Sequence, residues 1–155
     1  MASDPKVKAF LLCDQVIQGV DGKHSIIGAF QRVHAPQFPV FHARFGIYMR
    51  LGEMNGAYEL AIRFVDPNDE KTLAEALLKG VRHDRPLDDF ETGVNLPGIE
   101  IAHDGTFEVR VFANNRLIHV DTLRAIKVDM PSPPPGGGPK GPTLPGFGPS
   151  NDPFA

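Results

Sequence analysis

Apolar and polar residues alternate along much of this chain, and residues 106–123 show the pattern most clearly. From Phe107 to Ala113 an apolar residue stands at every second position, which is the period of a β-strand with one buried face. Asn114 and Asn115 follow, and asparagine tolerates positive φ better than most residues. The stretch therefore predicts two strands joined by a two-residue hairpin turn.

The same alternation recurs along residues 1–129, interrupted by turn signals. Asp21-Gly22, Asn55-Gly56 and the Asp-Pro-Asn-Asp sequence at 66–69 are clear examples, and we expect Asn55-Gly56 to form a second hairpin. The strands predicted in this way are 7–13, 25–30, 42–51, 58–64, 90–96, 107–113 and 116–123, with a further short apolar stretch at 99–101.

Seven or eight short strands separated by turns predict an all-β fold. Two sheets that are each apolar on one face must bury those faces against each other, so we expect an antiparallel β-sandwich. Its architecture would be immunoglobulin-like. The hallmark cysteines and tryptophan of antibody domains are missing, because the chain has one cysteine and no tryptophan.

Residues 71–81, with the sequence KTLAEALLKGV, allow two interpretations. Alanine, leucine, glutamate and lysine favour a helix, and Leu73, Ala76 and Leu77 have helical spacing. The neighbouring strands favour a β-strand that overrides this propensity. The context tips the prediction slightly towards a strand, so the fold contains at most one short helix.

The composition of the chain predicts two regions and argues against some classes of function. Residues 131–155 hold nine prolines and six glycines, which predicts a disordered tail at 130–155 after a domain at 1–129. The net charge of −3 gives no support for nucleic-acid binding. No segment approaches the roughly 20 apolar residues of a membrane span, and the start does not resemble a signal peptide. We therefore expect a cytoplasmic protein with no membrane partner.

Four segments together resemble a known family. They are AFLLCD at 9–14, DGKHSIIGAFQRVHAPQFP at 21–39, YELAIRFVDPND at 58–69 and LPGIEIAHDGTFEVRVFANNRLI at 96–118. In this order they resemble a family of small bacterial domains known only as a domain of unknown function. The resemblance covers about residues 6–128. It implies a soluble bacterial β-sandwich and carries over no catalytic residues.

Histidines and acidic residues in predicted loops are candidates for metal binding. Two histidines and a carboxylate could ligate zinc or non-haem iron if their loops met. The residues for such a site are His83, His103 and Asp104, with His119 and Asp121 as a further pair. A calcium site would use Asp66, Asn68, Asp69, Asp88 and Asp89. Neither set has a recognised ligand spacing, and turn formation also explains the acidic residues, so we expect no metal and no cofactor.

Nucleophilic catalysis has little support. Cys13 lies in a predicted strand beside leucines, and free cysteine is among the residue types most often buried. The chain has no GxSxG sequence, no phosphate-binding glycine loop and no dinucleotide fingerprint. We therefore expect no catalytic residues.

Arginine and tyrosine suggest a binding face instead. Arg44, Tyr48, Arg50 and Arg63 lie opposite the apolar rows of two strands predicted to be adjacent, so they are expected to share one sheet face. This composition is typical of a protein interface or of a surface that stacks single-stranded nucleic acid, and the net charge of −3 favours a protein partner. The alternative is a solvated sheet face covered by arginine stems.

Three other features could contribute to recognition. Residues 114–123 are a candidate edge strand for pairing with a partner, and Phe154 is a lone aromatic near the end of the tail. Phe38 and Phe41 belong either to a docking loop or to a plug for the open end of the core.

The sequence thus predicts a non-enzymatic module that binds a protein partner or associates with itself through a sheet face or an edge strand, with a flexible C-terminal tether. The alternatives are a metal-dependent enzyme acting on small molecules at the loop end of the sandwich, and a self-assembling structural subunit.

Overall fold

The structure is a computed structural model that describes residues 2–129. Its eleven strands are β1 (Lys6–Gln18), β2 (His24–Ala29), β3 (Arg32–Ala35), β4 (Val40–His42), β5 (Phe45–Gly52), β6 (Gly56–Asp66), β7 (Lys71–His83), β8 (Phe90–Leu96), β9 (Ile99–Ile101), β10 (Gly105–Ala113) and β11 (Arg116–Lys127). Within the described range there is no helix, and hence none long and apolar enough to cross a membrane. The predicted tail at 130–155 lies outside the described residues.

Two main sheets face each other. Sheet A has the strand order β2-β1-β5-β8 and sheet B has the order β3-β11-β10-β6-β7, while β4 and β9 form a small third sheet. The core lies between the main sheets, where the rings of Phe45 on β5 and Phe64 on β6 have centroids 5.8 Å apart. The prediction of an all-β antiparallel sandwich is confirmed.

The strand count exceeds the predicted seven or eight because short segments also pair. Arg32–Ala35 joins β11, and Val40–His42 pairs with Ile99–Ile101. Segments of three or four residues are too short to show a clear period of two, so the sequence pattern predicts them poorly.

Residues 71–81 lie in strand β7, which rules out the short helix. β7 pairs with β6 from Lys71 to His83, and its Leu78 and Val81 pack against the core. Pairing along the whole strand and burial of one face outweigh the helix propensity of the segment.

The two predicted hairpins differ in outcome. Asn114 and Asn115 both have positive φ, 48° and 64°, and join β10 to β11 as predicted. The hairpin at Asn55-Gly56 is wrong, because β5 belongs to sheet A and β6 to sheet B. This segment instead carries the chain across the core, and the neighbouring Met54 is fully buried.

The end of β1 and all of β2 form a hairpin that folds over the outer face of sheet A. The side chain of Asn95 holds it there, since its Oδ1 accepts from the Val16 N–H at 2.9 Å and its Nδ2 donates to the Val16 carbonyl at 2.8 Å. Beneath the hairpin, Cys13 and Tyr48 form a small second apolar cluster with Val16. Cys13 is fully buried, and burial raises the pKa of its thiol. These properties fit a packing role.

Phe38 and Phe41 separate in the structure. Phe38 packs against the core, as expected for a plug at the end of the sandwich. The side chain of Phe41 on β4 is exposed, with the backbone of Gly98 against its ring.

Candidate functional site

The most distinctive surface of the described residues is one edge of sheet B. β11 pairs with β10 along most of its length, but on its other side it pairs with β3 only at Arg124–Lys127. No strand within residues 2–129 therefore pairs with residues 116–123 on that side, and we call this stretch the free edge. It contains most of the candidate edge strand that the sequence predicted.

The backbone direction shows which groups the free edge presents. The N–H groups of Arg124 and Val128 both donate towards β3, to the carbonyls of Gln31 and Ala35 at 3.0 Å. Alternate residues of a strand direct their peptide groups to the same side. The N–H groups of Val120 and Thr122 consequently point to the free edge. The Thr122 N–H donates a hydrogen bond to Oδ1 of Asp121, at 2.8 Å.

A groove of about 510 Å³ lies beside this edge, between the two main sheets. The chain crosses from sheet A to sheet B at residues 29–32 and closes one end of it, with the Phe30 N–H donating to the Leu12 carbonyl. The rings of Phe10 and His119, 4.8 Å apart, meet across the gap. We call this space the seam groove, and its lining is Phe10, Leu11, Leu12, Ala29, Phe30, Gln31, Arg32 and Asp121.

One row of side chains on the outer face of sheet B, beside the free edge, is apolar. A cross-strand row runs from β11 to β7 through Leu117, Phe112, Ala61 and Leu77. Leu117 is 53% exposed and Leu77 is 47% exposed. The row ends at the free edge. A strand added there would place one more side chain next to Leu117, where an apolar residue would continue the row.

The predicted arginine and tyrosine face does not form. Tyr48 and Arg50 lie on β5 in sheet A and Arg44 just precedes it, whereas Arg63 lies on β6 in sheet B. The error follows from the mistaken hairpin at Asn55-Gly56. The fifth predicted binding residue, Phe154, lies outside the described residues. The individual roles of these residues in binding stay predictions.

Each of these side chains has a local environment of its own. Arg44 is exposed, and the guanidinium of Arg63 lies over the ring of Phe112, 4.6 Å from its centroid. Tyr48 is buried under the β1–β2 hairpin, which raises the pKa of its hydroxyl. Arg50 donates to Glu91 at 2.8 Å. This ion pair is part of the support for the hairpin and is set apart from the seam groove.

Glu91 connects the hairpin to sheet A. Burial raises the pKa of its carboxyl group, but hydrogen bonds from Arg50, Tyr48 and His24 outweigh burial and hold that pKa below its ordinary value. Nδ1 of His24, on β2, lies 3.2 Å from Oε2 of Glu91. The cluster is therefore explained by attachment of the hairpin.

The histidines proposed for a metal site do not converge. His83 pairs with Gly56 at the start of β6, whereas His103 contacts Asp66 at the end of β6. Eleven residues of strand separate these ends, which corresponds to about 33 Å. Across residues 2–129, no group of three or more histidine, cysteine, aspartate or glutamate residues has a geometry that could hold a metal ion.

The acidic residues proposed for calcium act in turns. Oδ1 of Asp66 accepts from the Asn68 N–H, and Oδ1 of Asp69 accepts from the Lys71 N–H, both at 3.0 Å. Asp89 instead pairs with Lys8, and it lies next to β8 in the other main sheet. The two halves of the proposed calcium set are thus on different sheets.

Comparison with known proteins adds the family. A protein-family model described as "Family of unknown function (DUF6941)" matches residues 8–126. The chain belongs to this family. The match confirms the resemblance to a family of domains of unknown function.

Other comparisons of this DUF6941 chain give little more. A search of the curated proteins finds no match. A solved structure titled as an immunoglobulin-like protein from Pseudomonas aeruginosa aligns with a TM-score of 0.42 and 15% sequence identity, covering 80% of this chain and 98% of that chain. The strand pairing of this DUF6941 chain establishes the sandwich by itself.

Sequence reasoning about this DUF6941 chain missed most of the seam groove. Phe10, Phe30 and Arg32 come together only because the chain switches sheets at residues 29–32, and the sequence carries no pattern for that crossover. Asp121 gave a usable signal. It occupies an inward position of β11, two residues before the fully buried Leu123, where an apolar residue is expected.

The pair of Asp66 and His103 predicts a pH dependence of stability for this DUF6941 domain. Nε2 of His103 lies 2.6 Å from Oδ2 of Asp66, and its Nδ1 lies 2.6 Å from the Asp104 carbonyl oxygen. The Asp104 carbonyl and then the Asp66 carboxylate raise the pKa of His103 above 6.5. The hydrogen bonds from His103 and the Asn68 N–H lower the pKa of Asp66 below 3.8.

The two pKa shifts determine the pH range in which each residue stabilises the domain. The contribution of His103 is complete below pH 6.5 and is lost as the pH rises through its raised pKa. The contribution of Asp66 is complete above pH 3.8 and is lost as the pH falls through its lowered pKa. We therefore expect His103→Gln to lose more stability, measured by urea unfolding, at about pH 6 than at about pH 8. His83→Gln is the control, and an equal loss at both pH values for His103→Gln would contradict the assignment.

Proposed function

We propose that this chain is a non-enzymatic protein-binding module that accepts an extended segment of a partner protein at the free edge of β11. The observation that carries the proposal is the pair of N–H groups, of Val120 and Thr122, that point to a side of β11 where the described part of the chain places no strand. An unpaired strand edge is a template for an added strand, and main-chain hydrogen bonds supply much of the affinity in such complexes.

The free edge is long enough for such a segment. Eight residues, 116–123, correspond to about 26 Å of strand, which is longer than an average strand. Each ladder hydrogen bond contributes about 0.5–1.5 kcal/mol net, so several together give useful affinity. Leu117 and Val120, which are 53% and 42% exposed, add apolar surface for the partner's side chains.

The same edge also carries features that resist indiscriminate pairing. The register of β10 and β11 shifts between Val111 and Phe112, which marks a β-bulge in β11 at residues 117–119. Asp121 places a charge at an inward position of the edge strand. Natural sheets use bulges and inward charges to prevent edge-to-edge aggregation. These features favour binding of a specific partner. They argue against the alternative, in which the edge serves self-assembly of a structural subunit.

A display experiment with a single-residue edge block tests the proposal. A random library of extended peptides is selected on the folded chain, and the enriched peptides are measured on Val120→Pro and Val120→Thr. Proline removes an N–H that points away from β10, so the fold is retained while the edge loses a donor. Threonine keeps the N–H and the β-branched shape.

We expect binding to fall by about tenfold or more on Val120→Pro, since both the donor and the space for the partner strand are lost. Val120→Thr is expected to bind like the original chain, and far-ultraviolet circular dichroism checks the fold of both variants. Peptides that bind Val120→Pro as tightly as the original chain would show that they use another surface. A dimer that Val120→Pro abolishes would assign the edge to a second copy of the chain instead.

A further inference from the structure

The carboxylate of Asp121 occupies the place that an added strand needs. Its Oδ1 accepts from the Thr122 N–H at 2.8 Å, and the side chain lines the seam groove, where it is half-buried. A partner strand pairing with the free edge must bring its own carbonyl to the Thr122 N–H. Asp121 then gives up this hydrogen bond.

Displacement leaves a charged group in a partly apolar space. The groove walls near Asp121 include the rings of Phe10 and Phe30, and an added strand would cover the carboxylate further. Burying a charge without a partner is costly, whereas a paired and hydrogen-bonded charge is tolerated.

Within the described part of the chain, Asp121 forms no ion pair. None of the ion pairs formed within residues 2–129 includes it. Arg32 also lines the groove, but it pairs in register with Arg124, three residues further along β11, which corresponds to about 10 Å. An incoming segment that carries a cation would supply the charge partner that Asp121 lacks within residues 2–129.

We infer that the partner segment carries a lysine or arginine at the position that faces Asp121 when the segment pairs with the free edge. The inference rests on the proposed function and specifies its partner. A carbonyl of the partner accepts the hydrogen bond from the Thr122 N–H. The partner's cation then forms an ion pair with the Asp121 carboxylate, which has lost that hydrogen bond. Alternate residues of the same segment lie on the outer face, where Leu117 and Val120 favour apolar side chains.

Charge reversal at one residue tests this inference. The random peptide library is selected in parallel on the original chain, on Asp121→Lys and on Glu100→Lys. Glu100 is an exposed carboxylate on β9, away from the free edge, so Glu100→Lys makes the same change in net charge. Each enriched peptide is also measured with its basic residue replaced by norleucine, which keeps the aliphatic stem and removes the charge.

The expected result has three parts. Peptides from the original chain and from Glu100→Lys carry lysine or arginine at one fixed position. Peptides from Asp121→Lys carry aspartate or glutamate there. The norleucine peptides bind the original chain about tenfold more weakly than their parents, as expected for loss of a charge pair at an interface.

Failure of the inference is distinct from failure of the proposed function. Peptides that lose binding on Val120→Pro but show no basic position would overturn the inference and leave strand addition standing. A basic preference that Glu100→Lys also abolishes would indicate attraction to net charge and would overturn it as well. Peptides that bind independently of Val120→Pro would overturn both.

Discussion

Replacement of Phe107 by alanine is expected to lower the free energy of unfolding by about 3–5 kcal/mol. Phe107 lies on β10 at the centre of sheet B and is fully buried. Its ring stacks between Phe64, at 5.4 Å, and His103, at 4.9 Å. Alanine leaves a cavity between two rings that cannot both move inward, so the loss combines the transfer term with a cavity term.

Phe112 provides a matched control for this prediction. It lies on the same strand but on the outer face of sheet B, where it is only half-buried. Phe112→Ala is expected to cost about 1 kcal/mol, because less apolar area leaves a buried environment. Urea unfolding followed by circular dichroism measures both variants. Similar losses for the two would mean that the face of β10 assigned to the core is wrong.

Replacement of Gly93 by valine is expected to lift the β1–β2 hairpin from sheet A. A Cβ at Gly93 would lie closer to Val16 than real Cβ atoms approach any neighbour. Val16 cannot give way easily, because Asn95 holds its backbone at both the N–H and the carbonyl. Overpacking of this kind costs about 1–3 kcal/mol.

Cys13 reports the opening of the hairpin. The thiol is fully buried beneath the hairpin, and its raised pKa makes it a poor nucleophile while the hairpin is in place. A shift of 1–3 kcal/mol raises the population of the open form by about 5- to 150-fold, and the rate of labelling by a thiol reagent should rise accordingly. Ser25→Val adds bulk at an exposed position of β2 and should leave the rate unchanged. Unchanged labelling of Gly93→Val would show that the hairpin does not shield the thiol.

Local features of the sequence predicted local structure well. The period of two located most of the strands, and asparagine's tolerance of positive φ located the turn at Asn114 and Asn115. The same reasoning could not settle which strands are neighbours. Asn55-Gly56 has the sequence of a hairpin turn. In the structure Met54 is buried, and the segment connects β5 in one sheet to β6 in the other.

The candidate site also depends on pairing between strands that are far apart in the sequence. Residues 114–123 of the sequence could be proposed as an edge strand, but β3 lies beside the C-terminal end of β11. That its edge is free only over residues 116–123 depends on β3, whose four residues carry no recognisable pattern. The arginine and tyrosine face failed for the same reason, because residue spacing describes one strand and does not assign that strand to a sheet.

The pairing of β3 with β11 also sets the order in which the domain can be completed during synthesis. Arg32 and Arg124 are neighbours in the sheet but about 90 residues apart along the chain. At about 5–20 residues per second, the first of them waits roughly 5–18 s for the second to be made. During that interval β3 has no partner strand in its sheet, although the other strands of both main sheets are made before β11. The crossover at residues 29–32 therefore cannot take its final course, and the end of the seam groove that it closes stays open, until β11 has been made.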